Sequence, residues 1–363
     1  MGTFEKSRRE WLLAMTVLAA ACRRREEGPP VGRRAGSTPA LPPSEEVGIT
    51  QASSGPPPPL PPPSDASPEA EVRVDDAPYP QTTPKETIAN GALALHDWAL
   101  PGDPKLSRRA VVLVPTHLAK GERVPLLLAL HGLAETVDET LGAYAWVKKY
   151  GIGEGYAHAR DPQSISVESL GKMVTAQRVS ELQAELAARP FRGMVIACPY
   201  TPNIWKAGPT PDSVLDAYAP WLFDVLLPRL HAETPVFAGP ERTGLDGVSL
   251  GGYASLGVGV RRLDGLGALG CVQAAISSAD ADRWSERIAK AFATHGARPL
   301  HLLTSTQDVF RAPVEALSAA LKKRSIPHTL RVALGPHDQP FLRGPGSLEM
   351  LLWHDRALGG STG

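Results

Sequence analysis

The chain has 363 residues, with 38 Lys plus Arg against 38 Asp plus Glu, so its formal net charge is zero. That balance gives no footing for nucleic-acid binding, which needs a concentrated basic face, while the length allows a large core in one or two domains. Proline is the unusual count: 36 in all, 16 of them between Gly28 and Pro84, so the excess belongs to one segment.

Residues 1–22 have the features of an export signal. Arg8-Arg9 stands directly before an apolar run, Trp11 to Ala21, that is far short of the ~20 residues a membrane-spanning helix needs. Twin arginines in this place resemble a twin-arginine signal. The run ends Val17-Leu18-Ala19-Ala20-Ala21-Cys22, which resembles a bacterial lipoprotein cleavage site with Cys22 as the lipidated residue. The expectation is therefore an exported protein anchored to the cell envelope, periplasmic or at the cell surface, by a lipid at Cys22. The alternative is an ordinary signal peptide and a soluble secreted product. Residues 23–86 lack apolar periodicity and carry Pro56 to Pro59 and Pro61 to Pro63. Such a stretch cannot bury enough surface to offset its ordering entropy, and it reads as a semi-stiff, disordered tether.

Ordered structure is expected over residues 87–363. Apolar runs predict strands at Ala92–Trp98, Arg109–Pro115, Val124–Gly132, Gly193–Pro199, Ala268–Ile276, Pro299–Ser305 and Thr329–Leu334. Another leads into Gly247. The third run is continuously apolar, as a buried central strand requires. Between the strands, helices are predicted at Ser213–Leu230, after Ser249, at Pro313–Lys323 and at Ser347–Leu358. Alternating strands and helices imply an α/β domain: an open, mostly parallel sheet covered on both faces. Residues 133–191 make an unusually long connection, with helices predicted at Thr140–Tyr150 and Ser180–Ala188 and a Gly-, Ser- and charge-rich stretch between them. Cys198 and Cys271 lie in strand-like runs and read as buried free thiols. No Cys/His spacing suggests a metal site.

The chemistry collects around Gly247-Val248-Ser249-Leu250-Gly251-Gly252. This is a G-x-S-x-G pattern placed strand, sharp turn, helix, the arrangement of a nucleophile elbow. A serine hydroxyl needs a base, a group to orient that base, and donors for the oxyanion. In an open parallel sheet these come from loops at the carboxyl ends of strands. His337, in the Gly335-Pro336-His337 turn after the last strand, is the base candidate. His328 lies at the wrong end of that strand, His301 inside a strand and His354 inside the closing helix. The orienting acid should fall between Ser249 and His337: Asp308 is favoured by its place just after a strand, with Asp280 and Asp282, in the loop after the preceding strand, as rivals. Backbone N–H groups of Leu250 and of Leu133, the latter in the Leu130-His131-Gly132-Leu133 turn, are the oxyanion candidates. His131 is expected to order that turn. Trp146, Trp205 and Tyr253 are candidate substrate-binding aromatics.

Leu130-His131-Gly132, then Gly247 to Tyr253, then Asp308, then Gly335-Pro336-His337-Asp338, in this order, resemble the α/β-hydrolase superfamily. Within it they resemble the esterase group containing feruloyl esterases, S-formylglutathione hydrolases and enterochelin esterases. The resemblance covers roughly Ala92 to Leu358. It implies the α/β-hydrolase fold, no metal and no organic cofactor. It also implies a carboxylic-ester hydrolase with a Ser249–His337–Asp308 triad, acting on a small-molecule ester through an acyl-enzyme. The alternatives are an acyltransferase or peptidase using the same triad, and a non-catalytic surface lipoprotein.

Overall fold

The computed structural model describes residues 83–359; the expected export signal, Cys22 and nearly all of the expected tether lie outside them. At the centre is strand β4 (Leu126–Leu130), every residue of which is buried. Its side chains alternate between two cores. Leu126, Leu128 and Leu130 join one cluster, Leu127 and Ala129 the other. The period of two that a strand imposes thus explains the unbroken apolar run: both faces are covered.

Nine strands form one sheet. In chain order they are β1 (Glu86–Ile88), β2 (Leu93–Ala99), β3 (Arg109–Pro115), β4, β5 (Val195–Pro199), β6 (Thr243–Gly247), β7 (Ala268–Val272), β8 (Leu300–Gln307) and β9 (Thr329–Pro336). In space the order is β1-β2-β3-β5-β4-β6-β7-β8-β9. The first three are antiparallel. From β5 to β9 every pairing is parallel. This is the α/β-hydrolase fold. Four neighbouring strands, β6 to β9, follow chain order, so the loops at their carboxyl ends lie side by side.

One face is covered by the helical run from Pro211 to Glu233, by Leu250–Gly259, Ala281–His295 and Arg311–Lys323. Thr210 caps the first of these with a reciprocal capping box to Ser213, satisfying amides the first turn leaves open. That run is longer than the predicted Ser213–Leu230 and contains a π turn, Trp221–Leu226. The turn falls between Pro220 and Pro228, which lack the N–H an α-helical ladder needs. The other face is covered by Ile152–Arg160 and Ser347–Leu358, beside helix Ala176–Ala188.

Residues 133–191 depart from the expected pattern in detail. The predicted helix over Thr140–Tyr150 is two short ones, Glu139–Ala143 and Ala145–Lys148. The Gly-rich stretch after it forms helix Ile152–Arg160, opened by Gly151 at φ +68. Cys198 and Cys271 are free and buried. They lie on β5 and β7, three strand positions apart, or about 14 Å at ~4.8 Å per strand, well beyond disulfide reach.

Candidate active site

Ser249 stands between β6 and helix Leu250–Gly259 with φ +57 and ψ −113, a region non-glycine residues avoid. Hydrogen bonds hold it there: its N–H donates to the Val272 carbonyl at 3.0 Å, and its own carbonyl accepts from Ala275 N–H at 2.9 Å. Val272 ends β7 and Ala275 lies three residues beyond it, so the turn is referenced to the neighbouring strand. The flanking glycines are required by space. A Cβ at Gly247 would collide with the Gly251 carbonyl, and one at Gly251 with the Leu130 carbonyl.

His337 follows β9 directly. Its Nδ1 donates to Asp308 Oδ1 at 2.8 Å, and the two side chains are 9% and 0% exposed. Asp308 lies just beyond β8. Its Oδ2 accepts from Thr304 Oγ1 at 2.6 Å and its Oδ1 also accepts from Phe310 N–H at 2.9 Å. The Phe310 ring meets the imidazole edge-on at 5.3 Å. With Nδ1 committed to the carboxylate, Nε2 is the nitrogen left to take a proton. Among the described residues no hydrogen bond joins Ser249 Oγ to His337; such bonds commonly close only when substrate is present. Gln273, at φ +47, ties the two loops together. Its amide donates to the Pro336 carbonyl at 2.9 Å and to Ser305 Oγ at 2.8 Å. Asp280 goes elsewhere, 3.9 Å from Arg283 at the start of helix Ala281–His295, so the geometry pairs His337 with Asp308.

The turn after β4 is pinned on both sides of Leu133. Gly132 N–H donates to Tyr150 Oη at 3.1 Å, and Tyr150 in turn donates to the buried Glu135 carboxylate. The Leu133 carbonyl accepts from Thr136 N–H at 3.1 Å and Thr136 Oγ1 at 2.8 Å. A Cβ on Gly132 would come within 3.8 Å of Ser249 Cβ, which places this turn against Ser249. Because Tyr150 takes the Gly132 amide, Leu133 carries the next N–H along the turn. Leu250 opens the elbow helix, so its N–H is one that the helix ladder leaves without a carbonyl. His131 orders the turn, as expected. Nδ1–H donates to the Gly132 carbonyl at 2.9 Å and Nε2 accepts from Thr201 N–H at 2.9 Å. Burial pushes its pKa down to about 4, so the ring is neutral.

The aromatic candidates separate. Tyr253, one helical turn after Ser249, is half-buried and meets Trp205 at 5.8 Å and Trp284 at 5.0 Å. Trp146 is corrected: it is fully buried in the core, edge-on to Tyr150 at 5.2 Å, and lines no open surface. Sequence reasoning missed Trp284, Gln273, Thr304 and the support that Tyr150 gives. A cavity of about 590 Å³ at the opposite, amino-terminal ends of β4 to β6 is remote from Ser249. Arg189 and Arg242, which help line it, donate to the Asp355 and Leu358 carbonyls at the end of the closing helix.

No family model matches the chain, and no curated protein does. Solved structures share the fold. The fluorophosphonate-binding serine hydrolase F of Staphylococcus aureus, substrate bound, aligns with a TM-score of 0.52 at 12% identity, over 73% of this chain and 99% of its own. The S-formylglutathione hydrolase of the same organism gives 0.50 at 11%, over 72% and 98%. The feruloyl esterase module of Clostridium thermocellum complexed with sinapinate gives 0.51 at 13%, over 76% and 95%. At these identities the likeness is one of fold.

Proposed function

We propose that this protein is a serine hydrolase, and within that class a carboxylic-ester hydrolase acting through an acyl-enzyme. The observation that carries the reading is the His337–Asp308 hydrogen bond, in the same row of strand ends as a serine on a strained strand-to-helix turn. Fold neighbours named as a feruloyl esterase and an S-formylglutathione hydrolase support the substrate class.

Ser249 Oγ attacks the ester carbonyl carbon while His337 Nε2 takes its proton. Nδ1–H stays on Asp308, whose carboxylate stabilises the imidazolium. The oxyanion is met by the N–H groups of Leu133 and Leu250, each worth ~3 kcal/mol to the transition state. Collapse expels the alcohol, which takes the proton from His337. Water then repeats the sequence on the acyl-enzyme and releases the acid. Every group invoked belongs to this chain.

The test is hydrolysis of short p-nitrophenyl esters by the purified protein, with labelling of Ser249 by a fluorophosphonate probe. Activity and labelling are expected in the parent protein and absent in Ser249→Ala. A Ser249→Ala protein as fast as the parent would refute the proposal. Export and lipid anchoring belong to the same proposal, carried by Arg8-Arg9 and by Val17 to Cys22. Palmitate incorporation in a bacterial host, abolished by Cys22→Ser, tests it; equal incorporation by both proteins would refute the anchor.

A further inference from the structure

Directly beneath the elbow the sheet has a gap. Strands β6 and β7 pair at Gly244↔Ala268 and Leu245↔Leu269, and contact resumes at a single bridge, Val248↔Val272. Between these points side chains take over the backbone groups. Gly247 N–H donates to Asp246 Oδ1 at 2.7 Å. The Gly270 carbonyl accepts from Ser255 Oγ, on the elbow helix, at 2.8 Å.

Asp246 is held in turn. Its Oδ2 accepts from His354 Nε2, on the closing helix, at 2.9 Å, and both side chains are 0% exposed. Space for the pair is hollowed out of the sheet by two glycines. A Cβ at Gly270 would land on Asp246 Oδ2, and one at Gly244 would lie 2.5 Å from His354 Nδ1. That Nδ1 is buried with no hydrogen-bond partner, so the arrangement is not the cheapest way to fill the core. An apolar pair of the same volume is commonly as stable as a buried ionisable one, or more so. The pair does not enter the reaction, yet it borders what the reaction needs. Ser249 N–H hangs on Val272, the last residue of β7, and its carbonyl on Ala275 just beyond it. The separation of β6 from β7 therefore sets where Ser249 sits, and the Asp246 carboxylate fills the space beside Gly270 of β7 that a side chain there would take.

We propose that Asp246 and His354 are positioning residues for the nucleophile: they hold the gap between β6 and β7 open at a fixed width and so fix the height and direction of Ser249. This rests on the serine-hydrolase reading. Strained backbone persists only where its surroundings over-determine it, and this pair is part of that over-determination.

The test compares the parent protein with Asp246→Asn, His354→Ala, and the double variant Asp246→Leu/His354→Leu. Measured are kcat and KM on a p-nitrophenyl ester, the rate of fluorophosphonate labelling, and the melting temperature. A small misplacement of a reacting group costs on the order of tenfold to a hundredfold. The expected result is a fall in kcat and labelling rate of about tenfold or more, with KM little changed. Added imidazole should restore His354→Ala by refilling its site. The double variant should melt no lower than the parent and still be slow, which a purely structural role would not produce. If the single variants fail to fold, the double variant alone decides. A folded double variant with parental kcat and labelling rate would overturn the proposal. A parent protein that neither labels nor hydrolyses esters would strike the serine-hydrolase reading first, and this proposal with it.

Discussion

Replacing Asp308 by Asn tests the proposed base and its proposed orienting acid together, and this site makes the magnitude specific. In triads of this kind the Asp-to-Asn change costs ~10⁴ in kcat when the amide NH2 turns toward the imidazole and forces the wrong tautomer. Here the place of Oδ1 accepts two donors, His337 Nδ1–H at 2.8 Å and Phe310 N–H at 2.9 Å. The Phe310 amide is backbone and cannot turn round. An Asn side chain is therefore expected to keep its oxygen at that place and put its NH2 toward Thr304 Oγ1, a hydroxyl that can rotate to accept. The correct tautomer survives, and what is lost is the negative charge beside the imidazolium. A hydrogen bond to a charged group is worth about 1.5–3 kcal/mol, so kcat should fall by roughly 10- to 150-fold, well short of 10⁴. The assay is steady-state hydrolysis of a p-nitrophenyl ester, with circular dichroism to verify folding. A folded Asp308→Asn protein within about threefold of the parent would refute the role given to Asp308; a loss near ~10⁴ would refute the orientation argued from Phe310.

Three further outcomes follow from the same geometry. Ser249→Gly should abolish activity and raise stability by ~1 kcal/mol or more, read as an increased melting temperature, because glycine relieves the cost of φ +57. Tyr150→Phe removes the acceptor of the Gly132 N–H; leaving a buried donor unmet costs about 1–3 kcal/mol, and kcat should fall about tenfold if that turn supplies an oxyanion donor, whereas unchanged kcat would remove Leu133 from the role. Acid should weaken the fold through His131, whose pKa burial depresses from 6.5 to about 4. The unfolded chain then binds a proton that the folded one does not, so stability is fully present above pH 6.5 and is lost as the pH falls toward 4, by ~2 kcal/mol on reaching about pH 5. Denaturant titrations across that range should show a shallower slope in His131→Gln; an equal slope would refute the assignment.

Much of the candidate site was legible in the chain because β6 to β9 lie in space in the order in which they are made. A residue just past one of these strands is then at the same edge of the sheet as a residue just past another. That rule placed Ser249 and His337 at one edge of the sheet with Asp308 or Asp280 as the acid between them, and it put His301 and His328, inside or at the far end of a strand, out of reach. The glycines around Ser249 could also be read, since a turn that tight excludes a Cβ whatever surrounds it. The apolar run at β4 announced a strand covered on both faces.

What required the tertiary structure was every contact made across long stretches of chain. Asp308 and Asp280 both follow strands, and only the fold shows which carboxylate reaches the imidazole. Trp146 and Tyr253 are equally aromatic in sequence, yet one is sealed in the core and the other stands a helical turn from Ser249. Tyr150 reaches the Gly132 amide from beyond two short helices, and His354 reaches Asp246 from 108 residues away. No local periodicity encodes such pairings. Propensity and pattern act over a few residues, whereas the partner of a buried polar group is chosen by the packing of whole elements against one another.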